Sequence, residues 1–77
     1  MFFLIEYDRE SGKIVTFRSF RNSDKEEAEH SRLEKEIELN RRGVEREVVI
    51  LEAPTEAAVR RTHRRYFESL RELVETS

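Results

Sequence analysis

Seventy-seven residues with a formal net charge of −2 suffice for one small domain, residues 1–77, and give no global basic field for holding nucleic acid. No cysteine is present, which excludes disulfide staples and thiolate metal sites, and leaves His30 and His63 as the only imidazole ligands. Charged residues reach 42%, close to the disordered border, but the apolar residues are clustered and periodic, which argues for a fold.

The chain opens with Phe2-Phe3-Leu4-Ile5, a run broken by Glu6 and Asp8. It is too short for a signal-peptide core or a membrane span, so a cytoplasmic location without membrane contact is the expectation. Aromatic and branched residues over 2–8 predict a strand. Asp8-Arg9-Glu10-Ser11-Gly12 reads as a hairpin loop in which Gly12 takes positive φ. Residues 13–20 form the partner strand, expected to place Ile14, Thr16 and Arg18 on one face and Val15, Phe17 and Ser19 on the other.

Ser23 and Glu26 have the spacing of a capping box, and acidic residues crowd the first turns of the helix that follows. Arg41, Arg42 and Gly43 give it a cationic last turn and a stop. Leu33 and Ile37 make one apolar stripe on this helix, with Ala28 and Leu39 to its side. If both stripes are covered, the polar groups between them must pair, Arg32 with Glu36 first.

Residues 44–53 hold the third strand, apolar on both faces at Val48-Val49-Ile50-Leu51. Pro54 and Thr55 break it and cap a second helix expected to run to about residue 74. The order is ββαβα. The crossover rule makes the third strand parallel to the second, and the first strand, the most apolar, belongs in the middle. The expected fold is α+β: a two-layer domain with a three-stranded antiparallel sheet of order 2-1-3 and two helices on one face.

On that arrangement Phe3, Ile5, Val15, Phe17, Val49 and Leu51 lie beneath the helices. Phe2, Leu4, Ile14, Val48 and Ile50 form a bare apolar face rimmed by Glu6, Thr16, Arg18, Arg46 and Glu52. Such a face reads as an interface, and a second copy of the chain, or another protein, is the expected partner. RNA stacking on this face is disfavoured, since only Phe2 offers a ring there.

The second helix concentrates cations in Arg60, Arg61, Arg64 and Arg65. Helix geometry sends the arginines to the surface and Tyr66 and Phe67 to the core. Arg60–Arg64 and Arg61–Arg65 repel at i,i+4, so partners across space are needed: acids of the first helix, an acidic protein surface, or phosphate. The phosphate option makes a nucleic-acid accessory protein the competing function. His63 falls within the apolar arc, and is read first as a packed core histidine. A small enzyme built on His63 with Tyr66 and Arg32 is the third reading. No glycine-rich phosphate loop and no nucleophile elbow is present, so no catalytic residue, metal or cofactor is expected. The first expectation is a non-enzymatic interaction domain.

Overall fold

Three strands and two helices follow one another as β1 (Phe2–Asp8), β2 (Lys13–Phe20), α1 (Lys25–Arg42), β3 (Glu47–Glu52) and α2 (Glu56–Thr62), in a computed structural model that describes residues 1–64. The sheet order is β2-β1-β3 and both pairings are antiparallel, so the α+β class and the 2-1-3 order are as expected. Being central, β1 has Phe3, Leu4, Ile5 and Glu6 all buried.

The turn chemistry explains the hairpin. Asp8 accepts the Gly12 amide through its carbonyl at 2.8 Å, and through its carboxylate the Glu10 amide and the Ser11 hydroxyl, each at 3.0 Å. Gly12 sits at φ 70°, the left-handed region that a side chain resists. Gly43 ends α1 the same way at φ 67°, its amide reaching back to Asn40. Thr55 caps α2, accepting the Ala58 amide at 3.1 Å.

Several expectations are corrected. Ser23 does not cap α1: Asn22–Asp24 form a single 3-10 turn, Asp24 is the N-cap, and its side chain accepts no capping bond. The third strand is confined to Glu47–Glu52. α2 breaks at His63, whose φ −124° and ψ 49° are not helical. The Thr62 hydroxyl donates to the carbonyls of Ala58 and Val59, a back-bond that competes with the helix ladder. Residues 65–74 of the expected second helix, with Arg65, Tyr66 and Phe67, lie outside the described residues.

The largest correction concerns the faces. Residues directly opposed across a ladder share a face. Leu4 and Phe20, with Phe2, Val48 and Ile50 against them, cluster with Ala28 of α1. Phe3, with Phe17 and Leu51, clusters with Val59 and Ala58 of α2 and with Ala53. The two helices therefore lie on opposite faces. A central strand apolar on both sides needs cover on both, and the chain supplies it from its own helices. The face carrying Phe2, Leu4, Val48 and Ile50 is consequently not bare, and Leu4 is only 2% exposed.

Ile14 leaves that face altogether. The β1–β2 register runs Glu6↔Thr16 and then Tyr7↔Ile14, so Val15 is an extra, bulged residue. The bulge turns Ile14 to the Phe3 side and leaves Val15 exposed.

Candidate interaction surface

Beneath α1 the sheet holds a charge. Glu6 follows Leu4 on the α1 face of β1 and is 2% exposed. Its carboxylate accepts the Arg46 guanidinium on one oxygen and the Thr16 hydroxyl, at 2.8 Å, on the other. The Lys35 ammonium stands 3.5 Å away, reaching down from α1. Burial alone raises the carboxyl pKa. The hydrogen bonds from Arg46 and Thr16, with the positive charges of Lys35 and Arg46, outweigh it and hold the value below the ordinary one. This cluster ties β1, β2, α1 and the approach to β3 together at one point. Placing Glu6 on an open rim missed it; the available signal was an acid set between Ile5 and Tyr7 in the most apolar strand.

Lys35 also fixes how α1 turns. The residues facing the sheet are Ala28 and Leu39, both buried, with Lys35 between them. At 100° per residue Leu33 and Ile37 then point away, and they are 50% and 49% exposed. Around them lie His30, paired with Glu34 at 2.8 Å, and Arg32, paired with Glu36 at 3.1 Å as the sequence suggested. Two large aliphatic side chains one turn apart, flanked by polar pairs, form the apolar patch on the outside of α1.

The two sheet edges are unlike. β2 carries the Val15 bulge and the cations Lys13 and Arg18, devices that discourage pairing with another strand. β3 has no bulge, proline or lysine, and its four central residues Val48 to Leu51 are apolar yet half-buried. No strand among the described residues pairs with its outer side.

Beside this edge is an open cleft of about 520 Å³ between the hairpin turn, the end of α1 and the start of β3, lined by Asp8, Glu36, Asn40, Glu45, Arg46 and Val48 among others. Asp8 titrates below its ordinary range, chiefly through the Ser11 hydroxyl and despite some burial, with the Glu10 and Ser11 amides and the Arg46 charge adding to it. Among the described residues no group of three His, Cys, Asp or Glu side chains is placed to hold a metal ion.

Of the four expected arginines, Arg60 and Arg61 lie on α2 and Arg64 follows it. Arg60 binds Glu56 at 2.8 Å, and its guanidinium lies 5.7 Å from the centre of the Phe17 ring. That is a cation held within the chain by an acid and a ring face. Arg61 and Arg64 are exposed, and Arg65 lies outside the described residues. His63 is half-buried where α2 breaks, its amide bonded to Val59. Arg32 is on α1 and His63 follows α2, on opposite faces of the sheet, so the trio His63, Tyr66 and Arg32 is not assembled by the described residues. Among the described residues no helix is long and apolar enough to cross a membrane. No protein-family model, curated protein or solved structure matches the chain.

Proposed function

We propose that this protein is a non-enzymatic interaction domain whose partner is a second copy of itself. The observation that carries the reading is the outer face of α1, where Leu33 and Ile37 stay half-exposed although the helix has a packed side built from Ala28 and Leu39. Fully burying an aliphatic side chain is worth about 1.5–3 kcal/mol, so covering the exposed halves of two contributes about 1.5–3 kcal/mol in all. A chain of this size has little core of its own and gains from such cover. The surface is not the sheet face expected from the sequence, because α1 occupies that face.

Sedimentation velocity at micromolar concentration tests the reading. A dimer that weakens when Leu33 and Ile37 are both replaced by lysine supports it. A wild-type monomer across the concentration range rejects it. Anion or nucleic-acid binding by Arg60, Arg61 and Arg64 draws less support, since Arg60 is already engaged by Glu56 and Phe17.

A further inference from the structure

We propose that two copies join edge to edge through β3, forming a continuous six-stranded antiparallel sheet, with the two α1 helices packed side by side over the seam through Leu33. The proposal deepens the self-association reading and rests on it.

The edge itself is the first argument. A strand whose outer backbone groups are unpaired is a template for another strand, and proteins that stay monomeric guard such edges. Among the described residues β2 carries such guards, and Val48 to Leu51 of β3 carry none. Pairing β3 with β3 of a partner subunit makes a self-complementary two-fold contact.

Charge selects the register. For both α1 helices to lie on one face of the joined sheet, opposed residues must share a face, so their numbers must sum to an even value. With Val49 on the two-fold axis, Val48 opposes Ile50 of the partner subunit, and Arg46 opposes Glu52 of the partner subunit. Arg46 stands on the α1 face, where it holds Glu6, and Glu52 shares that face opposite Phe2. A shift placing Ile50 on the axis sets Glu52 against Val48 and draws Pro54 into the ladder. A shift to Val48 sets Arg46 against Ile50. Only the first register gives each end of the seam an opposite-charge pair, twice over by symmetry.

The helices fit the same operation. α1 lies over β1 and β3, and its flank bearing Glu36 and Asn40 faces the β3 side, where it walls the cleft with Val44 to Val48. Leu33 lies beside Asn40 on that flank, turned outward. With strands about 4.8 Å apart, an axis between β1 and β3 stands about 5 Å from the seam, so the two α1 axes come to about 10 Å. That is the upper end of the usual 8–10 Å for packed helices. The level also agrees to within a turn. Leu4, opposite Ile50, shares a cluster with Ala28, and Glu6, opposite Val48, meets Lys35, so Val49 is level with Ser31 and Arg32, less than one turn before Leu33. One two-fold axis through Val49 thus covers the β3 edge and brings Leu33 within about 5 Å along the helix of Leu33 of the partner subunit.

The cysteine-free chain makes the test direct. Leu33→Cys and, as control, Val15→Cys on the β2 edge start from similar exposure, 50% and 48%. Under mild oxidation Leu33→Cys is expected to form a disulfide-linked dimer at least tenfold faster than Val15→Cys. In parallel, Glu52→Lys, which sets two cations against each other at both ends of the seam, is expected to raise the dimer dissociation constant at least tenfold, with Glu27→Lys, exposed on the flank of α1 away from β3, as its control. A wild-type dimer in which Leu33→Cys links no faster than Val15→Cys, and Glu52→Lys associates as the wild type does, overturns the β3 join while self-association stands. A wild-type monomer overturns both.

Discussion

Removing the Arg46 guanidinium should cost more than removing the charge it binds. In Arg46→Met, Glu6 keeps a 2% exposed carboxylate with only Thr16 and Lys35 to answer it. Stripping one partner from a buried ion pair typically costs about 3–5 kcal/mol, and the remaining Lys35 places the expected loss near 3 kcal/mol. Glu6→Gln instead leaves two cations that are 27% and 29% exposed and can turn to water. A charged hydrogen bond worth about 1.5–3 kcal/mol is then exchanged for a neutral one of about 0.5–1.5, a loss of about 1–2 kcal/mol. Against a total stability of about 4–12 kcal/mol for a chain this long, the difference is resolvable by urea unfolding followed by circular dichroism. The pH dependence separates the variants further. In the wild type Glu6 titrates below its ordinary value of 4.5, so the unfolded chain takes up the proton first. The stability from this cluster is complete above that value and is lost as the pH falls through the lowered folded one. In Arg46→Met the guanidinium's hydrogen bond and charge no longer oppose burial, so the folded value moves up from its lowered position and the stability lost on acidification shrinks. An Arg46→Met loss smaller than that of Glu6→Gln, with an unchanged pH slope, would refute the picture of a sealed and compensated charge.

Gly43→Ala should destabilise the fold by about 1–2 kcal/mol through backbone strain at φ 67° alone, since an added Cβ meets nothing within 4 Å; the same urea titration reads it. Thr55→Ala removes the acceptor for the Ala58 amide and should lower stability by about 1 kcal/mol, whereas Thr55→Ser restores most of it in thermal melts. Leu39→Ala, which opens a gap between α1 and its surroundings where Leu39 is 5% exposed, should cost about 2–5 kcal/mol by chemical denaturation, and a loss below about 1 kcal/mol would mean that α1 is turned differently.

The strand order was legible because Phe2 to Ile5 is the chain's most apolar run and such a run belongs at the centre of a sheet. Gly12, Gly43 and Thr55 were legible because turn and cap chemistry is local. Three features were not. The turning of α1 follows a contact between Lys35 and a strand 29 residues earlier, so the bulkier pair Leu33 and Ile37 ends outside while small Ala28 sits against the sheet. The displacement of Ile14 follows a bulge at Val15 that no glycine or proline announces. The covered face of Leu4, Val48 and Ile50 reads in sequence as apolar on both sides, and that pattern does not say whether the second cover is the chain's own helix or a partner. For the interaction surface, sequence supplied the stripe Leu33 and Ile37 and the apolar β3, but only the fold shows which side of each is left open.

Glu6 also acts as a proofreader of strand alignment. Were β1 to slip by one residue between its neighbours, the carboxylate would swing to the side of Phe17 and Val59, away from Arg46, Thr16 and Lys35. Greasy side chains tolerate such slippage, because one branched hydrocarbon replaces another with modest loss. An ionised group stranded in oil does not. A chain that could thread its most apolar strand in more than one frame therefore has one frame in which this acid finds its partners.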